Sequence, residues 1–160
     1  MDIGGTSTDI SLIRAGEPAV TRDARLEDIP IRLPVIDINA IGAGGGSIAW
    51  IDDGGALRVG PRSAGSQPGP ACYGRGGELP TCTDANVVLG TLNPEYLLGG
   101  RMRVRRDLAE AAIDRLATAL NMDRMAAAQG VISVVTANMA RAIRVISVQR
   151  GHDPRDYAMI

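Results

Sequence analysis

The segment Asp2-Ile3-Gly4-Gly5-Thr6-Ser7-Thr8-Asp9 sets two carboxylates, two glycines and three hydroxyls within eight residues. Each of these residue types has a use around a phosphate. Glycines let the backbone turn sharply and bring N–H groups close to an anion. Hydroxyls donate to phosphate oxygens, and paired carboxylates hold a hydrated Mg²⁺ or orient a water. The apolar run Ile10-Ser11-Leu12-Ile13 comes next, so the pattern reads as strand, tight turn, strand. A plain hairpin is the simpler reading, but two acids and three hydroxyls are more than a turn requires. All 17 basic residues are arginine, which removes the lysine of a Walker-type phosphate loop. Strand-like residues after the turn also exclude a helix-opening dinucleotide fingerprint.

A second run, Gly42-Ala43-Gly44-Gly45-Gly46-Ser47, is too glycine-dense for an ordinary turn. Its successive N–H groups could form an anion nest. A flexible linker or a tight chain crossing is the alternative. Asp84 and Asn86 are weaker site candidates, because both residue types favour helix starts. His152 stands just past a helical pattern, where a role at the helix end is expected before catalysis. Cys72 and Cys82 stand far from the single histidine and lack the spacing of a zinc site. Reduced thiols are expected.

These residues need elements to position them. The chain has 160 residues and is 45% hydrophobic, enough for one folded unit. Phenylalanine is absent, so the core must come from Ala, Val, Ile and Leu. A net charge of −1 gives no electrostatic basis for a nucleic-acid partner. Arg101, Arg103, Arg105 and Arg106 read as a solvated basic face.

Strands are expected from Met1 to about Val20, with a turn at Ala15-Gly16-Glu17-Pro18. Arg22–Asp28 reads as a polar connection, and Val35–Ile41 alternates like a strand. Asp53-Gly54-Gly55 should turn Ile48–Asp52 into Ala56–Val59. Gly60–Pro80 should be irregular, and so long a loop is usually functional or interfacial. Helices are expected over Thr83–Leu89, after a capping box at Asp107-x-x-Glu110, and after a cap at Asp123. The second should bury Leu108, Ala112, Leu116 and Ala119. The third should bury Ile132, Val135, Met139, Ile143 and Ile146 and stop by Gly151. Ala126–Val148 carries Gln129, Asn138, Arg141 and Arg144, so it reads as an amphipathic helix rather than a membrane span. No signal peptide is visible and a cytoplasmic location is expected. Asp156–Ile160 looks like the start of a strand. The expected organisation is one partial domain: 1–60 mainly strands, 61–82 a Gly/Pro-rich loop, and 83–160 mainly helical with a terminal strand.

In order along the chain, several runs resemble the hydantoinase A family. They are Asp2–Leu12, Ile41–Trp50, Arg58–Gly65, Pro68–Gly74, Thr83–Asn86 and Arg150–Asp156. That family includes A-type subunits of N-methylhydantoinases, the matching half of 5-oxoprolinase, and related subunits of acetone and acetophenone carboxylases. The opening hairpin is also similar to those of actin, Hsp70 and the sugar kinases. The resemblance implies an α/β fold: a partial actin-like ATPase lobe with an N-terminal β-rich part and then helices. It implies ATP and Mg²⁺ as cofactors, a cyclic amide or ketone as substrate, and a hydantoinase B-type subunit or domain as partner. Carried onto this sequence, Asp2 and Asp9 would be catalytic and metal-holding. Gly4, Gly5, Thr6 and Thr8 would grip phosphate, while Gly44, Gly45, Gly46 and Ser47 would line the cleft. The implied activity is ATP-dependent hydrolysis of a hydantoin- or 5-oxoproline-type ring. A ketone carboxylase subunit and a non-catalytic truncated module are the alternatives. The resemblance also implies a central-to-C-terminal piece of a longer subunit. Asn39 departs from the histidine often found there in the family.

Overall fold

Short apolar runs broken by Gly, Pro and Asp produce short strands. The computed structural model describes residues 1–26, 29–95 and 97–160, with the backbone alone for Leu26. The strands are β1 (Asp2–Ile3), β2 (Thr8–Ser11), β3 (Ile13–Arg14), β4 (Glu17–Pro18), β5 (Val20–Thr21), β6 (Ala24–Leu26), β7 (Ile29–Ile31), β8 (Val35–Ile36), β9 (Ile38–Ile41), β10 (Ser47–Ile51) and β11 (Leu57–Ser63). Every pairing among them is antiparallel. The sheet that carries the opening hairpin has the order β1-β2-β9. Its alternation is clean: Thr8 and Ile10 of β2 are buried while Asp9 faces solvent.

The turn between β3 and β4 forms as the sequence suggests, with Ala15 and Gly16 both at positive φ. Two expectations shift. The segment read as a polar connection, Arg22–Asp28, contains β6, and Glu27 and Asp28 lie outside the described residues. The segment read as irregular begins later, because β11 runs on to Ser63.

The helices are α1 (Cys82–Leu89), α2 (Arg106–Leu120) and α3 (Arg124–Ile146). A capping box opens α1: Thr81 accepts from the Asp84 N–H, and the Asp84 carboxylate accepts from the Thr81 N–H at 3.0 Å. Gly90 closes it at φ 75°. The box expected at Asp107 and Glu110 is absent. The helix begins at Arg106, and these acids pair with Arg105 and Arg106 at 2.7 and 2.8 Å. The buried face of α2 is Ala109, Ala112, Ile113, Leu116 and Ala117; Ala119 is exposed. Asp123 caps α3 through the Ala126 N–H at 2.9 Å, as expected. The buried stripe of α3 holds Val131, Val135, Ala142 and Ile146, with Ile132, Met139 and Ile143 only half-buried.

By length and composition α3 could cross a membrane, but here its apolar face packs into the core with α1 and α2. A smaller cluster of Ile10, Ala142 and Ile146 ties the β1-β2-β9 sheet to the end of α3. The strand expected at Asp156–Ile160 does not form. Pro154–Asp156 is a short 3-10 turn, and no strand among the described residues pairs with residues 157–160. The α/β class, strands first and helices after, is as the sequence suggests.

Candidate functional site

The opening hairpin closes tightly, with the Gly4 N–H donating to the Ser7 carbonyl at 2.9 Å. The glycine run then crosses directly behind it. The Gly45 N–H donates to the Gly4 carbonyl at 3.1 Å, and the Gly46 N–H to the Gly5 carbonyl at 2.6 Å. In a trans peptide unit the C=O and the N–H of the next residue point in opposite directions. Carbonyls held toward the glycine run therefore turn the N–H groups of Gly5 and Thr6 away from it, on the exposed side of the turn. Two neighbouring outward N–H groups make an anion cradle. No backbone acceptor within the described residues takes either of them.

This crossing requires glycine. A Cβ on Gly44 would lie 2.6 Å from the Gly4 carbonyl oxygen, and one on Gly46 would lie 3.0 Å from that of Gly5. The anion nest expected at Gly44, Gly45 and Gly46 is not formed, because their N–H groups are engaged inside the fold. The Gly44 N–H donates to Ser47 Oγ at 2.8 Å, and Ser47 is buried. The Gly45 carbonyl accepts from the N–H and the hydroxyl of Thr83, each at 2.8 Å. Hairpin, glycine run and the start of α1 thus stack in that order. The tight chain crossing, the alternative for this run, is what the chain adopts.

Thr8 also departs from expectation. Its side chain is fully buried and its hydroxyl donates to the Ala43 carbonyl, leaving no proton for a ligand. Thr6, by contrast, is exposed, with its Oγ1 3.3 Å from Ser63 Oγ. Sequence reasoning does not single out Ser63. The register that sets it opposite Ser47 delivers it to the hairpin, and its place in the Arg58–Gly65 run is the available signal.

Asp2 and Asp9 are directly opposed in the β1–β2 register and both are exposed. Opposed residues carry their Cβ atoms about 5 Å apart on one face, where like charges repel. No basic side chain among the described residues pairs with either acid. A divalent cation fits such a pair: oxygen ligands, two negative charges and open solvent for its waters.

Asn39 opposes Ile10, so it lies on the sheet face away from Asp9. Its Nδ2 donates to the Ala142 carbonyl at 3.0 Å. A histidine ring N–H can make the same bond, so Asn39 keeps the sheet tied to α3 rather than altering the hairpin.

Asp84 is fully buried and accepts from the N–H groups of Ala71 (3.2 Å), Cys72 (2.8 Å) and Thr81 (3.0 Å) and from the Thr81 hydroxyl (2.7 Å). It caps α1 and clamps the long loop. Asn86 accepts from the Thr91 hydroxyl at 2.7 Å. Cys72 and Cys82 are free and buried. Burial pushes both thiols up, Cys82 to about 12. The His152 ring packs edge-on against Tyr157, and its backbone N–H donates to Ser147. A cavity of about 570 Å³ lies on the Ile10 side of the sheet and is lined mainly by apolar residues. It contains neither carboxylate of the hairpin.

The hydantoinase/oxoprolinase family model matches residues 1–160. The caprolactamase subunit alpha of Pseudomonas jessenii is 48% identical over 100% of this chain and 23% of its own length. The crystal structure of the ATP-dependent caprolactamase from that organism matches with a TM-score of 0.85 at 47% identity, covering 96% of this chain and 22% of the other. A nucleotide-free acetone carboxylase structure matches with a TM-score of 0.88 at 33% identity, covering 98% and 22%. The chain thus spans about a quarter, or less, of the length of the curated relatives it matches.

Proposed function

The chain belongs to the hydantoinase/oxoprolinase family, and we propose that it supplies the phosphate grip of an ATP-dependent cyclic amide hydrolase. The observation that carries this reading is the glycine crossing. It holds the Gly4 and Gly5 carbonyls inward, so that the Gly5 and Thr6 N–H groups face an incoming anion. Thr6 and Ser7 add hydroxyls at the same turn, and Asp2 and Asp9 add a carboxylate pair on the adjoining strands.

Amide resonance makes a lactam carbonyl a poor electrophile. ATP, when bound, supplies the phosphoryl group that converts the carbonyl oxygen into a leaving group. The residues of the chain then have three tasks. Gly5 and Thr6 neutralise phosphate oxygens through their N–H groups. The Thr6 hydroxyl fixes the orientation of the transferred group. Asp2 and Asp9 would hold a Mg²⁺ ion, whose charge would offset that of the phosphates. Gly44, Gly45, Gly46 and Ser47 serve the site from behind, by orienting the turn. A B-type subunit or domain completes the reaction, in keeping with a relative named as one subunit of a larger enzyme. We place the enzyme in the cytoplasm.

A ketone carboxylase is the second reading, favoured by the acetone carboxylase match at a TM-score of 0.88. The higher identity to the caprolactamase favours the hydrolase. The deciding experiment uses the native full-length protein with its partner subunit. ATP hydrolysis is measured with 5-oxoproline, hydantoin or caprolactam, and separately with acetone plus bicarbonate. Stimulation by a cyclic amide with ring opening supports the hydrolase. Stimulation by the ketone and bicarbonate alone replaces it with the carboxylase, and no stimulation by either ends both.

A further inference from the structure

We propose that Ser63 is a positioning residue that sets the Thr6 hydroxyl for contact with the transferred phosphoryl group. The inference rests on the hairpin being a phosphate grip and adds to it a residue from a distant part of the chain. Ser63 ends β11 opposite Ser47, and the next residue is pinned to the glycine run through the Ala64 N–H and the Gly46 carbonyl at 2.8 Å. Gly46 is what makes room for it, since a Cβ there would lie 2.9 Å from Ser63 Oγ.

A serine hydroxyl offers one proton and two lone pairs. One lone pair of Ser63 is occupied by the Gly65 N–H at 3.1 Å. The rest of the hydroxyl faces Thr6 Oγ1 at 3.3 Å, and either hydroxyl can donate across that contact. An anion seated before the turn decides the direction. It draws the Thr6 proton outward, and the Ser63 proton turns to the Thr6 oxygen. Donors arranged in such a chain polarise one another. Gly65 thus fixes Ser63, Ser63 fixes Thr6, and Thr6 presents a strengthened donor at the place where charge develops.

The test is a double-mutant cycle in the native enzyme with its partner subunit, scored as kcat and KM for ATP at saturating cyclic amide. Thr6→Val and Ser63→Ala are made singly and together, with Ser63→Thr as the conservative variant. Ser63→Ala is expected to lower kcat roughly ten- to hundred-fold with little change in KM. Ser63→Thr should restore most of that loss. In the Thr6→Val background Ser63→Ala should have no further effect, because its route to the phosphate is already gone. If Ser63→Ala folds poorly, Ser63→Cys keeps the shape with only a weak donor and takes its place. An equal loss in both backgrounds would overturn the inference, as would a silent Ser63→Ala or a failure of Ser63→Thr to rescue. A fully active Thr6→Val enzyme would remove the Thr6 hydroxyl, and Ser63 with it, while the backbone N–H groups of Gly5 and Thr6 would still carry the phosphate-grip reading. A damaging Thr6→Val beside an additive Ser63→Ala would leave that reading standing and remove Ser63 alone.

Discussion

At the residue scale the site depends on which glycines lack room and which merely bend. Gly44 and Gly5 separate the two cases. A Cβ on Gly44 would meet the Gly4 carbonyl oxygen at 2.6 Å, whereas one on Gly5 would meet nothing within 4 Å. Gly44→Ala is therefore expected to cost on the order of 1–3 kcal/mol through forced backbone displacement. Gly5→Ala should change stability by less than about 0.5 kcal/mol. Urea unfolding of the two variants checks this, and equal losses would show that the crossing has room for a side chain. The carboxylates allow a sign test. Asp2 and Asp9 oppose each other, so Asp9→Asn relieves a repulsion and should stabilise the metal-free chain by about 0.2–1 kcal/mol. Mg²⁺ should raise the melting temperature of the wild-type chain and not that of Asp9→Asn. A metal-induced rise of the same size in both would remove the pair as a cation site.

At the element scale the main devices are α1 and the loop it clamps. The Asp84 carboxylate is buried and receives three N–H groups and one hydroxyl. Asp84→Ala would strand these donors, so a loss of about 3–5 kcal/mol is expected in chemical denaturation. Increased proteolysis between Ser66 and Leu79 should accompany it. The thiols on the same loop and helix give a pH signature. Burial raises Cys82 from its ordinary 9.0 to about 12 and raises Cys72 as well. Below pH 9 each thiol is neutral in both the folded and unfolded chain, so the stabilising difference is fully present. Above it the unfolded chain ionises first. Stability should then fall by about 1.4 kcal/mol per thiol for each further pH unit, until the folded thiols titrate. Melting curves between pH 8 and 11 read this directly, and a flat profile would mean that the thiols reach solvent.

The same scale shows what can be read in advance. The β3–β4 turn, the end of α1 at Leu89 and the Asp123 cap are legible because each is a local event with a local residue preference. The cap expected at Asp107 fails because the helix starts one residue earlier, at Arg106, and Arg105 takes the Asp107 carboxylate. The nest expected at Gly44–Gly46 fails for a different reason. Its Gly45 and Gly46 N–H groups go to carbonyls some forty positions earlier in the chain, and local spacing carries no record of such a crossing. The contact of Ser63 with Thr6 is hidden on the same grounds, since strand register and not sequence proximity brings the two together.

At the scale of the whole molecule, the proposed grip is one-sided. Its donors stand on an exposed turn, backed by the glycine run and α1, and the opposite side of a bound phosphate would still face water within this chain. Charge and dipole contacts weaken steeply where the dielectric stays high. The β-rich half also leaves Val20, Ile29, Leu33, Ile36 and Ile38 each more than half exposed. Both features fit a segment that spans a quarter or less of its relatives' length. The 160-residue chain alone should therefore bind Mg-ATP only with a dissociation constant around 1 mM, about 4 kcal/mol of binding free energy. The full-length protein, with the partner subunit proposed above, should bind at least a hundredfold more tightly. Titration calorimetry on both, with Thr6→Val as the control, measures the difference. Micromolar binding by the chain alone would show that the hairpin, the glycine run and α1 already enclose the nucleotide.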